Sequence, residues 1–152
     1  MAGQDHVLSK AFLATVAGFT NNIILGQCVV AVDAGAGLQL DPNQVALCSH
    51  TTGGGNTAAS PVGLALENLD LIKIQTGKAY FSVAIAGIAY GIADGAILSG
   101  ATVVPSTTTD GQLHSQARAN PVAGIPQVGI ALSHAAAAGD IFSVLLTPGA
   151  RV

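Results

Sequence analysis

The sequence predicts an all-β protein: a small sandwich or barrel built from two related β modules, with an N-terminal arm in front of them. Three observations carry this. Short apolar stretches recur between turn residues along the chain, with Asp94-Gly95 and Asp110-Gly111 as turn signals. Several of these stretches alternate with period 2. A string of motifs from the first half also returns, in the same order, in the second.

Residues 1–22 lie outside both modules and read as the arm, which offers Phe12, Leu13 and Phe19 no strand-period home. The β domain is residues 23–152. Module one, about residues 23–87, opens with ILGQCVVAVDAGAGLQL at Ile24, and module two, about residues 96–149, with ILSGATVVPSTTTDGQL at Ile97. Aligning Gly26 with Gly100 sets Val29 and Val30 on Val103 and Val104, and Gly37 on Gly111. Val62-Gly63-Leu64-Ala65-Leu66 then matches Val128-Gly129-Ile130-Ala131-Leu132, and Phe81-Ser82-Val83 matches Phe142-Ser143-Val144. Strands are expected over residues 27–32, 45–49, 70–76, 80–86, 101–104, 112–115, 127–132 and 141–147. In the strand at 70–76, Ile72 and Ile74 alternate with Lys73 and Gln75, the pattern of a half-buried strand. The strand at 141–147 is apolar on both faces and is expected to be central. Residues 50–61, rich in Gly and Thr, read as a surface loop.

A chain of 152 residues suits one domain that buries roughly 68–70% of its unfolded surface. Charged residues are only 9% of the chain, and the net charge is −3. Five scattered cations, Lys10, Lys73, Lys78, Arg118 and Arg151, form no basic stripe, and there is no Trp and little Tyr or Phe for base stacking, so nucleic acid is excluded as a direct partner. Half of the residues are hydrophobic, which argues against disorder. With 27 Ala, 19 Gly and six aromatics, burial per residue is thin, and the chain is expected to gain stability by packing against other chains. The apolar stretch 11–32 is long enough for a membrane span but is interrupted by Thr20, Asn21, Asn22 and Gln27, so no membrane partner is expected. A secretory signal is disfavoured by Asp5 and by the lack of a clean small-x-small cleavage site before Asn21. Cys28 and Cys48 are expected to be reduced and packed as small apolar residues.

No catalytic, metal or cofactor site is framed by the sequence. The run Gly53-Gly54-Gly55 is followed by Asn56-Thr57, not by the Lys-Ser/Thr of a phosphate loop. Gly35-Ala36-Gly37 lacks the third glycine and the helix of a dinucleotide fingerprint. His6, His50, His114 and His134 show no ligand spacing with each other or with the cysteines. Ser, His and acidic residues all occur, but no G-x-S-x-G elbow presents a nucleophile. Glu67 and Asp70, the nearest acidic pair, read as turn residues. The uncharged segments Ser106-Thr107-Thr108-Thr109 and Thr51-Thr52 fit ordinary loops or, through charge depletion, protein contact.

The elements ILSGATVVPSTTTDGQL at Ile97 and QVGIALSHAAAAGDIFSVLLTPG at Gln127, with their fainter copies in module one, resemble the small capsid decoration, or cement, proteins of tailed bacteriophages. The resemblance covers about the last 60 residues well and the rest loosely. This chain departs from it in its low charge content and in the extra strand of module one. The resemblance implies a β-rich protein, usually trimeric, that sits on the outer surface of the mature head, contacts the major capsid protein and stabilises the head without catalysis. The other structural reading is a tail or fibre-like virion component, or another self-assembling shell protein. Phe12, Leu13, Phe19, Asn21 and Asn22 are the expected capsid or subunit contacts.

Overall fold

The computed structural model describes residues 7–16, 19–31, 44–48, 61–106, 108–116 and 126–147. Among these residues, nine strands and one short helix follow in chain order: β1 Leu8–Ala14, β2 Cys28–Ala31, β3 Gln44–Leu47, β4 Pro61–Ala65, α1 Leu71–Gln75, β5 Tyr80–Ile92, β6 Thr102–Pro105, β7 Leu113–Ser115, β8 Gly129–Ala131 and β9 Ile141–Leu146. They form one sheet in the order β1-β3-β2-β4-β5-β9-β8-β6-β7. β1 also pairs with β5, antiparallel from Leu8↔Ala86 to Leu13↔Tyr80, and runs parallel to β3 through Leu13↔Gln44 and Ala14↔Val45. The first five strands therefore close into a barrel, which leaves their edges paired.

The second half repeats this pairing residue for residue. Cys28↔Leu64 and Val29↔Gly63 in β2/β4 correspond to Thr102↔Ile130 and Val103↔Gly129 in β6/β8. Ala65 faces Val83 as Ala131 faces Val144. The loops before β2 and β6 also match. Gly26 N–H donates to the Ala65 carbonyl and Gly100 N–H to that of Ala131, each glycine taking a positive φ (91° and 84°) that a side chain would strain. The second half takes its first strand from the C-terminal half of β5. Phe12↔Phe81 in β1/β5 corresponds to Gly91↔Phe142 in β5/β9. The parallel pair Ala14↔Val45 corresponds to the parallel bridge Ala93↔Leu113. The 13-residue β5 thus ends one five-stranded unit and begins the next.

A register slip between Leu8 and Ser9 and a positive φ of 94° at Gly87 mark where β5 changes sides. Before it, Phe81 and Val83 point into the first core with Ala14, Phe19, Ile23, Val29, Val45, Ala65 and Ile74. After it, Ala89 and Ala93 point into the second, with Val103, Leu113, Phe142 and Val144. The second core runs on to the outer face of the first barrel, where Cys28, Val30, Cys48, Leu64 and Ala84 are buried in the same cluster.

Three sequence expectations are corrected. Within residues 1–22, which were expected to be an arm, Leu8–Ala14 is barrel strand β1, with Leu13 and Ala14 buried, because both β3 and β5 need a partner on that side. The modules accordingly start one strand earlier than residues 23 and 96. Residues 71–75 form a helix, not a strand. Leu71 and Ile74, three apart, pack on the first core while Ile72 is 80% exposed, so the four-residue alternation carried no strand. β9 is central, between β5 and β8, but only Phe142, Val144 and Leu146 are buried, and Ile141 faces out. Cys28 and Cys48 are free and buried, with the Cys48 thiol donating to Cys28 Sγ at 2.7 Å. The glycine-rich loop at 53–55, Gly35–Gly37, His6, His50, Arg118 and Arg151 lie outside the described residues.

Candidate functional site

The contact residues expected from sequence separate into two groups. Leu13 and Phe19 are buried in the first barrel, where Phe19 meets Phe81 edge to face at 6.1 Å, an arrangement that adds about 0.5–1.5 kcal/mol to area burial. Phe12 is half-buried against the same core, with the Lys10 ammonium 5.4 Å from its ring centroid. Asn21 and Asn22 are exposed. Asn22 Oδ1 accepts the Leu71 N–H at 2.9 Å, which ties the segment before β2 to the start of α1.

Phe19, Asn21 and Asn22 come together on the rim of a shallow depression of about 200 Å³. Thr20, Gln27 and Leu47 complete its first-barrel side, and Thr109 and Asp110 from the β6–β7 turn close it from the second barrel. The turn is held there by backbone bonds from Cys28 N–H to the Gly111 carbonyl and from Gly111 N–H to that of Cys48, both 2.8 Å. Gly111 takes a positive φ of 74°, which strains any side chain, and a Cβ there would stand 2.7 Å from Leu47 Cδ1. This notch is smaller than the roughly 300–1,000 Å³ of small-molecule pockets. It marks a junction between barrels. Sequence reasoning offered Thr109 as a loop or protein-contact residue but missed Gln27, Leu47 and Asp110, because tertiary packing brings them together from separate elements. The signals at this turn were Asp110-Gly111, the uncharged run before it and the alignment of Gly37 with Gly111.

A second polar cluster gathers the residue types of a catalytic triad. The Asp94 carboxylate, 3% exposed, meets His114 Nδ1 at 2.9 Å through one oxygen. Its other oxygen accepts the Ser106 hydroxyl and, at 3.3 Å, that of Thr108. Ser106 Oγ in turn accepts the Thr108 and Thr109 N–H groups, both at 3.0 Å. A serine nucleophile needs its hydroxyl on an imidazole nitrogen. Here the hydroxyl is directed at the carboxylate, and the histidine lies on the opposite oxygen. The arrangement anchors the β6–β7 turn that faces the notch. In the first barrel the corresponding strand positions hold Thr15 and Ala46, so this latch belongs to the second barrel alone.

Among the described residues, no group of three or more His, Cys, Asp or Glu side chains could hold a metal ion, and no helix is long and apolar enough to cross a membrane. Burial, and then the hydrogen bond with Cys28, push the Cys48 thiol well above its ordinary range.

Neither a protein-family model nor a curated protein matches the chain. Among solved structures, the fold is similar to the N base of the head fiber protein gp8.5 of bacteriophage phi29, with a TM-score of 0.56 and 13% identity over 93% of this chain and 95% of that one. The likeness covers both barrels.

Proposed function

We propose that the protein is a structural component of a phage virion that binds the outer surface of the head as a homo-oligomer, most simply a trimer, and stabilises it. The observation that carries this is the likeness, along nearly the whole of both chains, to the base of a protein named for its place on a phage head. The resemblance of the second module to capsid decoration proteins points the same way. Within residues 12–22, the contact with the major capsid protein falls to Asn21 and Asn22, since Leu13 and Phe19 are committed to the barrel.

Purified protein added to heads that lack it is expected to bind saturably and to raise their resistance to heat. Heads that take up no protein would remove the proposal. The same neighbour favours a second reading, the base of a head fibre. Electron microscopy of the decorated heads separates the two, because a decoration protein forms a regular array of low knobs over the shell and a fibre base sits beneath a projecting fibre.

A further inference from the structure

The repeat lets the outer faces of the two barrels be compared position by position. One row crosses four neighbouring strands of the first barrel through Cys28, Leu64, Ala84 and Ser9. Its counterpart in the second barrel is Thr102, Ile130, Leu145 and Ile88. Cys48 lies beside the first row and Gln116 beside the second, since Cys48 N–H donates to the Cys28 carbonyl as Gln116 N–H does to that of Thr102.

The two rows meet different surroundings. Cys28, Leu64 and Ala84 are fully buried and Cys48 nearly so, because the second barrel and its Gly111 turn sit on them, while Ser9 at the end of the row is exposed. In the second barrel nothing among the described residues plays that part. Thr102, Gln116, Ile130 and Ile88 are partly open and Leu145 is 37% exposed, with Tyr90, 55% exposed, on the same face. Only Val104 is buried, like its counterpart Val30. The uncovered row also carries a larger aliphatic side chain at one position, with Leu145 where the covered row has the buried Ala84.

We infer that the Thr102–Ile130–Leu145–Ile88 face is the docking surface for the first barrel of a second copy of this chain, which covers it as the second barrel covers the first barrel within one chain. The contact is head to tail: a surface on one barrel meets a different surface on the next. Such a contact leaves one free face at each end, so it closes into a ring or grows into a filament. This rests on the self-association proposed above and is independent of the capsid contact.

Light scattering with the full chain and with Leu145→Asp and Thr102→Lys tests it, and Ile72→Asp, a substitution at an exposed helix position, is the control. The wild type and the control are expected to give the same multiple of 15.0 kDa at micromolar concentration. Both face variants are expected to lose at least tenfold in association while keeping the wild-type circular dichroism. Thr102→Lys keeps the test valid if Leu145→Asp disturbs the fold. A monomeric wild type, or face variants that assemble normally, would overturn the inference, and a monomer that still decorates heads would do so, and would remove the proposed homo-oligomer, while leaving the proposed head-binding role intact. Leu145→Cys checks the polarity. In a head-to-tail contact two copies of this position do not meet, so mild oxidation is expected to give no disulfide-linked dimer, and efficient dimer formation would show a face-to-face contact instead.

Discussion

At the scale of single residues, the two close strand crossings give the sharpest expectations. A Cβ on Gly63 would stand 1.8 Å from the Ala84 carbonyl oxygen, and one on Gly129 would stand 2.1 Å from that of Leu145. Both obstacles are backbone atoms of central strands, which cannot swing aside as a side-chain tip could. Gly63→Ala and Gly129→Ala are each expected to cost about 3 kcal/mol or more in urea unfolding, whereas Gly95→Ala, with nothing within 4 Å of its Cβ, should stay within about 0.5 kcal/mol. Equal stability of Gly129→Ala and Gly95→Ala would contradict the packing of β8 on β9. The buried thiol pair gives a pH expectation. Because the Cys48 pKa is raised above its ordinary value of 9.0 in the folded state, its contribution to stability is complete below about pH 9 and is lost as pH rises through the folded pKa. Stability is therefore expected to fall above pH 9, and to fall less in Cys48→Ala. Neither Cys28 nor Cys48 should react with a thiol reagent until the protein unfolds.

At the scale of elements, β1 decides whether the first barrel closes. Removing residues 1–14 takes away Leu13 and Ala14 and leaves one edge of β3 and one edge of β5 unpaired, so the truncated protein is expected to aggregate or to lose its cooperative thermal transition. A truncated chain that melted like the full one would return β1 to the status of an arm. The same strand explains what could and could not be read from the sequence. β2, β3, β6, β7, β8 and β9 were legible to within about two residues because turns bound them and their inward positions repeat. β1 was not, since its equivalent is the second half of β5: LSKAFLA and GIAYGI share a structural role but almost no side chains. That half was hidden in turn because Gly87 reads as the end of the strand, whereas it bends β5 without ending it. α1 was misread because four alternating residues fit a strand face and a single helical turn equally well. Of the notch, Phe19, Asn21 and Asn22 could be picked out as residues without a role, but its far wall comes from the second barrel, and no local pattern encodes which turn a distant barrel presents.

At the scale of the whole molecule, low charge is the property with the widest reach. Thirteen charged residues in 152 leave little for a partner to attract through Coulomb forces, and the described surface displays Ile24, Ile72, Tyr90, Leu98 and Ile141 instead. Ile24 and Leu98 hold corresponding places, each two residues before a positive-φ glycine, so the repeat presents an apolar tip twice on one chain. Attachment to a head should then rest on burial of apolar and neutral hydrogen-bonding surface. Salt screens ion pairs within a Debye length of roughly 10 Å at 0.1 M but leaves apolar burial intact or strengthens it. Titrating the protein onto undecorated heads at about 0.05 M and 0.5 M salt brackets that length. The affinity is expected to change less than threefold between the two, far below the loss of orders of magnitude that several charge contacts would produce. Binding that disappears at the higher salt would keep the virion role and replace the apolar contact with an electrostatic one, carried by the few lysines and acids the chain has.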